Sequence, residues 1–204
     1  MNKPLTINLC GIVFHIDNDA YEKLKIYLNS IENHFANEEE SREILADIET
    51  RIAEIFQGKI NDNKQIITEK DVDEVIEIMG DPEEFGDVAN GKEGGSKKGK
   101  YTTSGYRRLY RDTENRILGG VCSGMGAYFR IDPLILRILF VIAFLGFLSG
   151  LLIYIILWIV IPEAKTTAQK LEMKGEPVTI SSIGKAVKEE FENVKKNIKK
   201  TMNL

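Results

Sequence analysis

The spacing of apolar residues changes along the chain, and each change marks an element. Over 5–16 the sequence LTINLCGIVFHI gives two short β-prone runs around Cys10-Gly11, where glycine supplies the positive φ of a two-residue hairpin turn. Behind a cap at Asp17 or Asp19, the residues Tyr21, Leu24, Leu28, Ile31 and Phe35 fall at helical spacing. Ile44, Ile48, Ile52, Ile55 and Phe56 repeat it in a second helix that begins near Ser41 and ends before Gly58. A polar turn at 61–64 and Ile66-Ile67-Thr68 lead to a third helix through Val72, Val75, Ile76 and Met79, with Thr68 and Asp71 in capping-box spacing. Gly80-Asp81-Pro82 ends it and opens a last turn over 82–85.

Further on, the polar positions vanish. Residues 138–161 read ILFVIAFLGFLSGLLIYIILWIVI, without one charged side chain. As one helix this run reaches roughly 36 Å, enough for a hydrocarbon core of about 30 Å. One transmembrane helix is therefore expected, carrying Ile138, Phe144, Gly146, Gly150, Tyr154, Trp158 and Ile161, with Tyr154 and Trp158 near the far interface. A competing geometry breaks the run at Gly146 and Gly150 into the two arms of a re-entrant hairpin, each too short to cross alone, with both ends on one side. After Pro177, the residues Ile183, Val187, Phe191, Val194 and Ile198 recur every three or four positions among lysines. This predicts a basic amphipathic helix over about 180–200, suited to a partner helix, a membrane surface or a packing site on its own protein.

Charge divides the chain further. Residues 1–90 hold 8 Lys and Arg against 21 Asp and Glu, whereas 91–137 hold 10 against 4. The expected organisation is an acidic α-rich domain over 1–90, a flexible basic linker over 91–105, a membrane module over 106–163 and a tail over 164–204. The acidic sign of the first domain argues against nucleic acid as a partner. Before the apolar run stand Arg107, Arg108, Arg111, Arg116, Arg130 and Arg137; after it come Lys165, Lys170 and Lys174. The positive-inside bias then keeps the N-terminal domain cytoplasmic, in a single-pass protein without a cleavable signal peptide. Cys10 and Cys122 lie too far apart for metal-ligand spacing, and His15 and His34 are the only histidines. The closely spaced Asp71, Asp73 and Glu74 read as a solvated helix face, so no metal, cofactor or catalytic group is expected.

Between linker and apolar run, Gly119, Gly120, Ser123, Gly124, Gly126 and Ala127 form a small-residue surface. Gly120 and Gly124 stand one helical turn apart, which favours close backbone packing. A phosphate cradle would need Gly-Lys-Ser/Thr, and here the chain has Gly124-Met125-Gly126. Asp132-Pro133 reads as N-cap and first helical residue, with Arg130 and Arg137 reaching for headgroups.

Taken together, the basic LYR start at 109–111, the GGVCSG segment, IDP at 131–133, the Arg137 start of the apolar helix and the ILWIVIP end closely resemble the phage shock protein C (PspC) domain of bacterial envelope-stress proteins. DIETRIAEIF and IEIMGDPEEF resemble acidic helical domains paired with such segments. The resemblance implies a mainly α protein of the bacterial cytoplasmic membrane: a small N-terminal β-hairpin with a three-helix acidic domain, a linker, a PspC-type module with one transmembrane helix, and the C-terminal amphipathic helix. It also implies a regulator or sensor of envelope stress rather than an enzyme, with the lipid bilayer, a phage-shock-type protein and further copies of the chain as partners. A membrane-maintenance scaffold is the alternative, and a DNA-binding regulator stands behind both.

Overall fold

The structure, a computed structural model, describes residues 4–61, 64–82, 107–146 and 149–202. Two compact units emerge: Met1–Lys97 together with Val178–Leu204, and Lys98–Pro177. The linker expected over 91–105 and the end of the turn at 83–85 lie outside the described residues.

The first unit opens with β1 (Leu5–Leu9) and β2 (Ile12–Ile16), paired antiparallel so that Leu5 faces Ile16 and Leu9 faces Ile12. Cys10 and Gly11 both take positive φ in the two-residue turn, as the right-handed twist of a hairpin requires. Helix α1 (Asn18–Phe35) and helix α2 (Ser41–Lys59) follow. Then β3 (Ile66–Ile67) joins β2 in parallel, and α3 (Glu69–Met79) closes the N-terminal part. Phe14, Ile16, Leu24, Ile31, Ile44, Ile48, Ile52, Phe56, Ile67, Val72, Val75 and Met79 are buried together as one core. Ala20 and Tyr27, rather than Tyr21 and Leu28, complete the inner stripe of α1. Tyr27 explains the shift, because its ring is buried while its hydroxyl donates to the Gly80 carbonyl at 2.7 Å, placing the polar tip at the end of α3.

The capping box at the start of α3 is present: the Thr68 N–H and hydroxyl donate to Asp71 Oδ2 at 2.9 and 2.7 Å. Asp71 is buried and also receives Lys64 Nζ at 2.6 Å. Burial alone raises a carboxyl pKa, but the Lys64 ammonium and the two Thr68 donors outweigh it and hold Asp71 below the usual carboxylate range. Such a group contributes stability above its unfolded pKa of about 3.9 and loses it as pH falls through the lower folded value. Asp71→Asn is expected to cost about 1–2 kcal/mol at neutral pH and to flatten the acid-side loss of stability below about pH 4. Urea unfolding at stepped pH reads both effects.

The C-terminal helix α8 (Ile180–Met202) belongs to this same unit. Ile180, Ile183 and Val187 are buried, and Gly184 lies beside the Phe35 ring and Ile44. Lys188 and Lys195 pair with Glu38 and Glu39 at 2.8 and 2.5 Å, joining the basic helix to the acidic domain. Of the three uses open to an amphipathic helix, the first two turns of α8 serve packing on its own protein.

In the second unit, α4 (Val121–Phe129), α5 (Pro133–Gly146), α6 (Ser149–Val160) and α7 (Thr167–Lys174) follow in order. The single transmembrane helix expected over 138–161 is not formed. α5 ends at Gly146 and α6 begins at Ser149, so helices of 14 and 12 residues stand where one of 24 was expected. At 1.5 Å per residue they reach about 21 and 18 Å, short of an apolar core of about 30 Å. Among the described residues no helix is long and apolar enough to cross a membrane. Chain connectivity opposes a single pass as well. Residues on both sides of the module fold into one unit, which a single crossing would divide between two compartments.

Candidate functional site

Helices α5 and α6 pack antiparallel. The Phe140 and Tyr154 rings meet edge to face at 5.4 Å, and a Cβ on Gly150 would lie 2.7 Å from the Ala143 and Phe144 backbone. Glycine at 150 thus permits the close approach that closes the hairpin. Among the described residues the outward faces are apolar: Ile138, Leu139, Ile142, Leu145, Leu152, Ile156 and Ile159 are each more than half exposed, and Phe144 and Trp158 nearly so.

The hairpin stands on a latch made by residues that precede α4. The Arg111 N–H donates to the Pro162 carbonyl at 2.8 Å and the Ala164 N–H to the Arg111 carbonyl at 3.1 Å, forming a short parallel bridge between 111 and 163. The Arg111 side chain then turns along the end of α6. Its Nε donates to Ile161 O at 2.8 Å, Nη1 donates to Gly119 O at 3.2 Å, and Nη2 pairs with Glu163 at 3.3 Å. Its guanidinium also lies 5.9 Å from the Trp158 ring centroid. A cation at a helix C-terminus suits the negative end of the helix dipole. In the sequence Arg111 stands out only as one of the basic residues before the apolar run and by its place in the LYR start.

Asp112, buried beside it, ties the next turn. Its Oδ1 accepts the N–H groups of Glu114 and Asn115 at 2.8 and 3.3 Å, and its Oδ2 accepts the Asn115 amide at 3.1 Å. Burial pushes this carboxyl up, yet those donors together hold it below the ordinary range. The glycines fit against this strand-like segment. Gly120 has φ 77°, and a Cβ there would collide with the Asp112 carbonyl; at Gly124 it would collide with the Tyr110 carbonyl. Gly119 abuts Trp158, and Gly126 abuts Ile131 and Pro133, while Ala127 is half-buried. At Gly120 and Gly124 the close packing is therefore against extended backbone rather than against a second helix.

The other predicted residues are distributed around this base. Asp132 Oδ1 accepts the Leu134 N–H at 2.8 Å, with Pro133 the first residue of α5. Arg130 is exposed in the left-handed conformation at the end of α4, whereas Arg137 donates to Asn115 O at 3.1 Å. Tyr154 donates its hydroxyl to Leu118 O, and Ile161 is buried. These two residues and Trp158 thus work at the hairpin's foot. Helix α7, expected as part of the tail, packs on α4 with Ala168 and Leu171 buried, and Lys170 pairs with Glu114 at 2.6 Å. In the first unit, Ile183 and Val187 point into the core of α8's docking site. Phe191 is half-buried beneath Lys195 Nζ at 4.9 Å, and Val194 and Ile198 are half-exposed beyond it.

A latched helical hairpin with an uncharged outer surface defines a module built for apolar contact. Residues 107–164 match the family model of the PspC domain, so the chain carries a PspC domain over that stretch. The match ends on Ala164, the residue whose N–H closes the latch. The domain associates the chain with phage-shock-type, membrane-related stress responses. No curated protein and no solved structure matches the chain.

Proposed function

We propose that this protein is a regulator in a phage-shock-type envelope-stress response, held at the cytoplasmic face of a bacterial membrane by a hairpin that enters one leaflet. The carrying observation is the apolar exterior of α5 and α6, which presents isoleucine, leucine and valine on every outward face. A patch of that kind exceeds what a lone domain keeps in water and is stabilised by transfer to hydrocarbon. Arg116, Arg130 and Lys165, all exposed in the segments that flank the hairpin in sequence, suit anionic headgroups at roughly 1 kcal/mol each when near the surface. The return of both flanks to one unit also fits a hairpin that leaves and re-enters the same compartment. In this reading the chain works by binding rather than catalysis, and its acidic unit engages a protein partner.

Detergent-free flotation of the full chain with vesicles tests the anchor. Wild type is expected to float, brominated lipid is expected to quench the lone Trp158, and Leu139→Asp combined with Ile156→Asp is expected to remain at the bottom. Wild-type protein that stays in the dense fraction overturns the reading.

A further inference from the structure

Between the hairpin and the segment 115–123, the second unit forms an open cavity of about 410 Å³. That volume falls within the range of roughly 300–1,000 Å³ typical of small-molecule sites. Its composition is graded along α5. Arg137 stands at the base, where it donates to Asn115 O, and Phe140 and Phe144 follow one and two helical turns toward the tip. Leu151 lines the cavity from the opposite helix, near where Gly150 meets the Phe144 backbone. Arg116, exposed and next in the chain to Asn115, is a second arginine in the lining. No carboxylate lines the cavity among the described residues.

An apolar slot with two arginines and no carboxylate in its described lining matches an anionic amphiphile. Arg137 spends one N–H on Asn115 and keeps donors free in the planar fork that suits phosphate oxygens. We infer that this cavity holds one acyl chain of an anionic phospholipid, with the lipid phosphate against Arg116 and Arg137. The site rests on the leaflet-insertion reading, because the lipid enters from the bilayer in which the hairpin sits. The arginines would then favour a headgroup of net negative charge over phosphatidylcholine, whose quaternary ammonium offsets its phosphate, while the slot would hold the chain in place.

The test uses full-length protein reconstituted in phosphatidylcholine vesicles doped with phosphatidylglycerol or with palmitate, then released into neutral detergent for native mass spectrometry. Wild type is expected to retain one phosphatidylglycerol in preference to the abundant phosphatidylcholine. The double variant Arg116→Gln, Arg137→Gln is expected to retain about tenfold less or lower still. Leu151→Trp, which fills the slot, is expected to lose the lipid while still floating with vesicles, and Leu152→Trp on the outer face to retain it. Equal retention of the two phospholipids, retention of palmitate instead, or full retention by Leu151→Trp overturns the site. Protein that floats but carries no lipid sinks the site alone; protein that does not float sinks the leaflet reading and the site with it.

Discussion

Ile183→Ala is expected to destabilise the first unit by about 3 kcal/mol, because the side chain is fully buried between α8 and the acidic domain. Alanine keeps helix propensity, so the loss comes from apolar transfer and the cavity left beneath the helix. The effect should be local in space but split in sequence. Amide hydrogen exchange should accelerate in both α2 and α8, which pack together, while α5 and α6 keep their protection. Ile198→Ala on the exposed continuation of the same stripe should change stability by no more than about 0.5 kcal/mol. Equal effects at the two positions would mean that α8 does not dock through its first half.

Gly124→Val should do comparable damage to the second unit, about 3 kcal/mol, by a different route. Any Cβ at this position meets the Tyr110 carbonyl, and the next residue is pinned by the bonds from Arg111 to Pro162, Ile161 and Glu163. The collision is with backbone that cannot rotate aside, so it is relieved only by opening the latch. Limited proteolysis should then cut within 107–120 in the variant and spare wild type. Gly58→Ala supplies the contrasting sign: space is open around that glycine inside α2, and alanine there should stabilise by about 0.5–1 kcal/mol.

The parts of the fold that follow from local chemistry were plain in the sequence. A Cys-Gly turn between alternating runs, a Thr-x-x-Asp box and apolar residues at helical spacing each constrain only their neighbours, and the hairpin, the capped α3 and the three acidic-domain helices appear accordingly. The apolar run is equally visible, but its length alone predicts one helix. Hydropathy sums over a window and does not register that Gly150 lets two arms touch, so the two-helix geometry stood there only as an alternative. Partners distant in sequence were not legible at all. An amphipathic stripe such as Ile183 to Val187 has the same pattern whether it meets lipid, another protein or α2, and Lys188 gives no sign that Glu38 is its counterion. Arg111 was hidden for a similar reason: its acceptors at Gly119 and Ile161 lie on either side of the whole hairpin.

The discontinuous first unit bears on the order of biosynthesis. Lys188 and Glu38 are separated by 150 positions, and a ribosome releases the hydrophobic hairpin before it releases α8. The nascent acidic domain therefore waits with Ile44 and Phe35 uncovered while the greasy segment seeks its own environment. Maturation of the N-terminal half becomes contingent on what happened to the middle of the polypeptide, which makes the last helix a built-in check on successful delivery.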